Sequence, residues 1–150
     1  MENRIEKQIE IAAPVSRVWQ ALADSRQFGE WFLAKMEGAF VPGHAVSGQI
    51  THPGYEHVRM QFVVKDIRPE TYFSYTWHPY AVDPKVDYSQ ETPTLVEFRL
   101  QATATGTLLS VTESGFDKIP SARRAEAFRM NSGGWEQQME NIEAYVQKTS

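Results

Sequence analysis

The first clear pattern in the chain is an alternation of apolar and polar residues in "RIEKQIEI", residues 4–11. Such alternation is typical of a β-strand with one buried face. The period then changes: in "APVSRVWQALAD" the apolar residues recur from Val15 at the spacing of one helix face. The segment "SRQFGEWF", residues 25–32, keeps a helical spacing. We therefore predict one strand followed by two short helices.

Five further segments between residues 34 and 115 read as strands of an antiparallel meander, each after a proline or glycine. They are "HAVSGQIT", "EHVRMQFVVKDI", "TYFSYTW", "TLVEFRLQAT" and "TLLSVTES". In the middle three the apolar residues share one face: Val58, Met60, Phe62 and Val64; Phe73, Tyr75 and Trp77; Val96, Phe98, Leu100 and Ala102. Glu97 points to the opposite face. The last segment has no clear parity, so the direction of Glu113 stays open.

A sheet with one apolar face must be covered, and the sequence offers a long C-terminal helix over residues 121–148. Its apolar residues lie along one stripe of a helical wheel: Phe128, Trp135, Met139, Ile142 and Val146. Gly133 and Gly134 interrupt this helix, and each costs about 1 kcal/mol relative to alanine. We expect them to allow a bend or local loosening, so that the helix follows a curved sheet whose middle it does not completely fill.

The segments "AAPVSRVWQALAD", "IRPETYFSYTW", "TPTLVEFRLQATATGTLLSVTESGF" and "GGWEQQMENIEAYV" occur in the element order strand, two helices, six strands, helix. In this order they resemble the START-like (SRPBCC) superfamily, and within it the branch named for the C-terminal domain of the activator of the heat-shock-protein-90 ATPase. The resemblance covers residues 5–148. It implies an α+β helix-grip fold, in which a curved antiparallel sheet of about six to seven strands wraps around a long C-terminal helix. We expect one such domain over residues 1–150.

The resemblance also implies a cavity between sheet and helix, since members of the superfamily bind lipids, hydrophobic metabolites or polyketides. We therefore expect a small binding protein for a hydrophobic or amphipathic molecule. Tyr75 would orient the ligand as the polar group of the apolar face, and the long loop 78–93 would gate its entry. The alternative for the same aromatic residues is a filled core. The residues expected to line the cavity are Trp31, Phe32, Met36, Met60, Phe62, Tyr75, Trp77, Phe98, Phe128, Trp135 and Met139.

The amino-acid composition argues against several kinds of partner and site. Fifteen basic and nineteen acidic residues give a net charge of -4 without a basic stripe, which argues against a nucleic-acid partner. The absence of cysteine excludes a thiol nucleophile. No apolar run is long enough to span a membrane and no signal-peptide pattern opens the chain, so we expect a soluble cytoplasmic protein without membrane insertion. The four histidines are isolated, and no motif predicts a metal or cofactor.

Two other functions stay open. The first is an enzyme of the same fold, of cyclase, dehydratase or hydrolase type, with Glu113 or Tyr75 inside the cavity. We predict no catalytic residue and expect binding rather than catalysis. The second is an interaction module, either a homodimer or a chaperone partner. A chaperone partner is not expected, because the eukaryotic activator has a separate chaperone-binding domain for which this chain has no room.

We expect Arg123 and Arg124 to face solvent or an acidic ligand head.

Overall fold

The structure is a computed structural model that describes residues 4–83 and 85–149. These residues form an antiparallel sheet, three α-helices and a short 3-10 turn at Phe116–Lys118. The strands are β1 Arg4–Ile11, β2 Ala34–Glu37, β3 Ala45–Ile50, β4 Arg59–Arg68, β5 Tyr72–Trp77, β6 Thr94–Ala102 and β7 Thr107–Ser114. The helices are α1 Val15–Ala23, α2 Ser25–Phe32 and α3 Ser121–Thr149.

The sheet has the strand order β1-β7-β6-β5-β4-β3-β2, with every neighbouring pair antiparallel. One row across it pairs Val64 with Tyr75, Tyr75 with Val96, and Val96 with Glu113. All four are fully buried, so they share the inner face of the sheet. The register shifts between Val64 and Asp66, and such a bulge bends the strand. The predicted fold is confirmed: a curved seven-stranded sheet, two short helices after β1 and a long C-terminal helix.

Helix α3 covers the inner face with the predicted apolar stripe. Trp135, Met139 and Ile142 are all at most 3% exposed. The helix runs from Ser121 to Thr149 without a break at the two glycines. A Cβ atom added at Gly133 or Gly134 would have no neighbour within 4 Å. Neither glycine is therefore needed for a close approach of α3 to the sheet.

Aromatic rings fill the centre of the interface between the sheet and α3. The rings of Phe62 and Tyr75 stack with their centroids 4.1 Å apart. Phe98 lies 6.0 Å from Phe73 and 5.6 Å from Trp135, again between ring centroids. At about 25 cal/mol per Å², each buried aromatic side chain contributes on the order of 4 to 6 kcal/mol of apolar transfer free energy. The middle of the interface is thus a packed core, and open space has to lie elsewhere.

Helix α2 is held at the edge of this core by its cap and by a glycine. The Asp24 carboxylate accepts from the N–H groups of Arg26 and Gln27 at 2.9 and 3.2 Å, which satisfies two free donors at the helix start. Gly29 faces β2, where an added Cβ would lie 2.2 Å from the carbonyl oxygen of Ala34. Only glycine permits this approach. It carries the end of α2, and with it Phe32, to one end of the sheet.

Candidate functional site

A cleft of about 560 Å³ opens at the end of the sheet where β4 begins and β5 ends. Phe32, Met60 and Trp77 contribute its aromatic and methionine surface. Its other walls come from loop 51–58 and from the loop after β5, residues 78–83 and 85–93, which we call the β5–β6 loop. The volume lies within the range of roughly 300 to 1,000 Å³ that is usual for small-molecule sites. The cleft is therefore large enough for a small organic ligand.

A smaller pocket of about 160 Å³ adjoins the cleft, and we call it the inner pocket. Phe32, Trp77 and Trp135 line it, with ring centroids 5.8 to 6.2 Å apart. Phe32 and Trp77 belong to both spaces, which makes the inner pocket a continuation of the cleft. Gly134 of α3 completes the wall. A Cβ atom added at this position would have no neighbour within 4 Å, so close packing does not require glycine here.

Next to the inner pocket lies a carboxylate that accepts four hydrogen bonds. Glu113 of β7 is fully buried. Its Oε2 accepts from the indole N–H of Trp77 at 2.7 Å and from the Thr94 hydroxyl at 2.5 Å. Its Oε1 accepts from Nδ2 of Asn131 at 2.9 Å and from the indole N–H of Trp135 at 2.8 Å. Three of these four donors belong to residues that line the inner pocket.

Glu113 takes part in none of the ion pairs formed by the described residues. A buried carboxylate without a cation is unfavourable unless hydrogen bonds replace its lost hydration. The four donors supply that replacement, and the two indole N–H groups can act only as donors. In return, the carboxylate fixes the orientation of Trp77, Trp135 and Asn131. Glu113 thereby determines the shape of the inner pocket without lining it.

Tyr75 lies in the same row of the sheet as Glu113, but its environment differs. The side chain is fully buried, and within residues 4–83 and 85–149 its hydroxyl has no hydrogen-bond partner. Burial, and secondarily the charge of Glu113, raise the pKa of Tyr75 well above its usual value. Tyr75 lines neither the cleft nor the inner pocket. Its place in the structure is in the core, not at the ligand-facing position expected from the sequence.

Replacing Tyr75 with phenylalanine is expected to raise the free energy of unfolding by about 1 kcal/mol, because a buried hydroxyl without a partner is unfavourable. Urea denaturation at pH 7 measures this change. The raised pKa means that the folded state holds the phenol proton more tightly than the unfolded chain does. Below about pH 10 the phenol is protonated in both states, so this group does not make stability depend on pH. Above about pH 10 the phenol of the unfolded chain ionises first, which lowers the free energy of unfolding. Wild type should lose stability above pH 10 more steeply than the variant.

Tyr72→Phe on the same strand is the matched control for this substitution. The Tyr72 hydroxyl donates to Glu97 at 2.6 Å on the outer face of the sheet, so its removal should lower stability by about 1 kcal/mol. A loss of stability for Tyr75→Phe as large as that for Tyr72→Phe would show that the Tyr75 hydroxyl makes a stabilising contact.

Four of the eleven residues predicted to line a cavity do line the two spaces: Phe32, Met60, Trp77 and Trp135. Five are buried in the core, namely Trp31, Phe62, Tyr75, Phe98 and Met139. Trp31 illustrates their role, since its indole N–H donates to the carbonyl oxygen of Ala21 at 2.8 Å. Met36 and Phe128 are half-buried elsewhere, Met36 on β2 and Phe128 against Phe116. Whether any of the eleven binds a ligand stays a prediction.

Most cleft residues that were not predicted from the sequence belong to the two loops. They include His52, His57 and His78, which the chain places far apart but the fold brings to the same cleft. Tyr55, Tyr80 and Tyr88 join them from the same two loops. Neither loop has a periodic pattern, and hydrophobic periodicity cannot show that two loops meet. The length of the loop after β5 was the feature of the sequence that pointed to this region, because long loops often carry function.

Arg123 attaches the β5–β6 loop to the start of α3. Its guanidinium forms an ion pair with Glu91, with a closest contact of 2.5 Å, and both side chains are less than a fifth exposed. Its Nη1 donates to the carbonyl oxygens of Pro79 and Tyr80 at 2.9 and 3.4 Å. Arg124 donates to a backbone carbonyl near the same end of the helix. Arg123 therefore holds the loop, and does not face solvent or a ligand head as the sequence suggested.

Two features are absent from residues 4–83 and 85–149. No group of three or more histidine, cysteine, aspartate or glutamate side chains is arranged to hold a metal ion. No helix is both long enough and apolar enough to cross a membrane.

Comparison with solved structures supports the fold. Protein MLL2253 from Mesorhizobium loti is 27% identical, with a TM-score of 0.76 and 98% of each chain covered. DynU16, from the dynemicin biosynthetic locus, is 19% identical with a TM-score of 0.76; all of this chain is covered but only 49% of DynU16. The Aha1 dimer from Colwellia psychrerythraea is 17% identical with a TM-score of 0.70 and 95% of each chain covered. The latter two likenesses concern the fold alone.

Comparison with curated protein sequences gives no match. A family model does match, and it extends over residues 12–147, from before α1 to near the end of α3. The match includes β2 to β7, the whole of loop 51–58 and the β5–β6 loop, and therefore every residue described above as part of the cleft or the inner pocket. On this evidence the chain belongs to the family of Activator of Hsp90 ATPase homolog 1-like proteins.

Proposed function

We propose that this protein binds a hydrophobic or amphipathic small molecule in the cleft and the inner pocket. The observation that carries the proposal is the continuous space of about 560 and 160 Å³ at one end of the sheet, with Phe32 and Trp77 common to both parts. Flat aromatic rings and a flexible methionine suit contact with apolar ligand surface. One end of the ligand would lie against these rings, and the rest of it would face the loops.

The polar groups of the outer cleft support an amphipathic ligand over a purely apolar one. His52, His57 and His78 line the loop side, together with Asp83 and several tyrosines. Polar groups placed around an apolar surface orient a ligand and give specificity. The site thus combines an aromatic inner end with polar groups at its entrance.

The β5–β6 loop forms much of the entrance, and its attachment makes it a defined wall. Arg123 binds Pro79 and Tyr80 near the start of the loop and Glu91 near its end. A wall that is already ordered loses little conformational entropy when a ligand binds. This favours binding by a largely preformed site.

Catalysis is less well supported than binding. A catalytic residue must contact the reacting atoms, yet Tyr75 and Glu113 are both fully buried and neither lines the cleft or the inner pocket. The two oxygens of Glu113 already accept four hydrogen bonds. Its arrangement suits a group that positions its neighbours.

Native mass spectrometry of the purified chain, followed by thermal-shift measurements with a panel of lipids and aromatic compounds, tests the proposed function. We expect retained small molecules or a raised melting temperature with at least one compound class. Trp77→Ala should weaken binding about tenfold or more, because Trp77 lines both spaces. Trp19→Ala is the matched control, since Trp19 is half-buried on α1 and lines neither space. No retained molecule and no melting shift across the panel would contradict the proposal.

Self-association is a separate proposal with its own support. The Colwellia psychrerythraea Aha1 that shares this fold is described as a dimer. We infer that this chain also forms a homodimer, and sedimentation velocity over a range of protein concentrations tests it. A monomer at every concentration would contradict it without affecting the ligand site.

A further inference from the structure

We infer that the inner pocket receives a positively charged ammonium group of the ligand. This inference rests on the proposed function and names the chemistry of one end of the ligand. It follows from three features of the described residues that meet at this pocket: three aromatic rings, a buried carboxylate without a cation, and an amide whose orientation is fixed.

The aromatic rings supply the first part of the argument. Phe32, Trp77 and Trp135 all line the inner pocket, and their ring centroids lie 5.8 to 6.2 Å from one another. The faces of aromatic rings carry partial negative charge and attract cations within about 6 Å, with tryptophan the strongest. Three rings around one small space are the arrangement by which proteins bind alkylated ammonium groups. A space of about 160 Å³ is of a size suited to such a head group.

The charge of Glu113 adds to this attraction. Its oxygens lie 2.7 and 2.8 Å from the indole nitrogens of Trp77 and Trp135, so both rings donate to the same carboxylate. Donation to an anion leaves more electron density on each ring and increases the attraction of its face for a cation. The described residues give Glu113 no ion-pair partner, so no cationic side chain is paired with this carboxylate. A cation in the pocket would lie beside three of the residues that donate to it.

Asn131 provides an acceptor of matching polarity. It lines the cleft and the inner pocket, and its Nδ2 donates to Glu113 at 2.9 Å. This hydrogen bond fixes which way the amide points, and it leaves the carbonyl oxygen Oδ1 and the second N–H of Nδ2 available to a ligand. The carbonyl oxygen can accept a hydrogen bond from a cationic group. The amide is therefore compatible with the cation that the rings attract.

The arginines around the site do not oppose this selection. Arg59 lines the outer cleft, but its guanidinium forms an ion pair with Glu37. Arg123 is likewise paired with Glu91. No lysine or arginine is among the residues that line the inner pocket. An anionic head group would therefore meet the charge of Glu113 without a cation to balance it.

The experiment compares three probes with the same ring and different charge: phenyltrimethylammonium, the neutral tert-butylbenzene and the anionic benzenesulfonate. Each is titrated into the 150-residue chain at pH 8, and the indole N–H resonances are followed by NMR. We expect phenyltrimethylammonium to shift the resonances of Trp77 and Trp135 and to bind about tenfold more tightly than tert-butylbenzene, a difference of about 1.4 kcal/mol. Benzenesulfonate should bind most weakly. Phe32→Leu, which keeps an apolar side chain but removes one ring face, should reduce the preference for the cation.

The outcomes separate this inference from the proposed function. Equal or tighter binding of tert-butylbenzene, with the same two resonances shifted, would overturn the ammonium site and leave an apolar binding site in place. Tightest binding of benzenesulfonate would also overturn it. Failure of all three probes, together with no hit from the lipid and aromatic panel, would overturn both proposals. An unchanged preference for the cation in Phe32→Leu would overturn the role of the three rings.

Discussion

Replacing Glu113 with leucine is expected to lower the free energy of unfolding by about 3 to 5 kcal/mol, a large change for a chain of this size. The substitution leaves four donors without their acceptor. Trp77 and Asn131 are half-buried and can turn to water, but Thr94 and Trp135 are 0% and 3% exposed. Each buried donor left unpaired costs about 1 to 3 kcal/mol. Urea denaturation followed by tryptophan fluorescence measures the difference.

Glu97→Leu is the matched control. Glu97 also accepts from several donors, including Tyr72, Arg99 and Thr112, but it lies on the outer face of the sheet with its side chain 17% exposed. Tyr72 and Arg99 can bind water in its place, and the hydrogen bond from buried Thr112 is long at 3.4 Å, so we expect a loss of about 1 kcal/mol or less. If the two substitutions cost the same, burial of the Glu113 network does not contribute as the geometry indicates.

Replacing Gly134 with leucine is expected to remove ligand binding while making the protein more stable. The added side chain would extend into the inner pocket of about 160 Å³, and its Cβ meets no atom within 4 Å. Leucine in a helix interior is more favourable than glycine by about 0.8 kcal/mol, and the added Cβ meets no clash. Binding of phenyltrimethylammonium should fall at least a hundredfold. Isothermal titration and urea denaturation measure the two effects separately.

Gly133→Leu tests whether the loss of binding depends on the pocket. Gly133 is the neighbouring residue, with the same open surroundings, but it does not line the inner pocket. The same gain in stability should appear with affinity unchanged. Normal affinity in Gly134→Leu, or an equal loss in Gly133→Leu, would mean that the ligand does not enter the space beside Gly134.

Alternation in the sequence was sufficient to predict most of the fold. In β5, in β4 up to Val64 and in β6 from Val96, every second residue is apolar, and the inner face of the structure carries most of those residues, among them Phe62, Tyr75 and Phe98. Strand β2 was not predicted as a separate strand, because four residues, "AKME", are too few to show a period. The two leucines at the start of β7 similarly obscured its parity, so the inward direction of Glu113 could not be predicted. Register with β6 places Glu113 opposite inward-facing Val96 and resolves that ambiguity.

The candidate site was less predictable than the fold. Residues of loop 51–58 and of the β5–β6 loop meet at the cleft because the sheet brings the two loops together. The sequence has no period that relates His52 to His78. The aromatic residues were identified, but their number alone could not separate those that fill the core from those beside the cleft. Phe62 and Trp77 occupy paired positions on neighbouring strands, yet only Trp77 lines the cleft, because it ends its strand. Position along the strand decided the difference.

The two glycines in α3 also show what could not be predicted from the sequence. The sequence correctly marks Gly133 and Gly134 as unfavourable for a helix, and the helix nevertheless continues through both. Gly134 lines the inner pocket, which gives its position a local role. Gly133 has no comparable contact, and nothing in the structure explains it. A helical wheel shows on which side a residue lies but not whether the space beside it is empty.

The packed aromatic centre and the cleft occupy different parts of the fold. This separation affects how such proteins can change their ligands. Most of the apolar burial comes from residues such as Phe62, Phe73 and Phe98, whereas much of the cleft wall comes from loop 51–58 and the β5–β6 loop. Substitutions in these loops can alter the chemical preference of the entrance at little cost in folding free energy. The same scaffold could therefore acquire new ligands through loop replacement, and exchanging loops between homologues is a practical route to engineered binders.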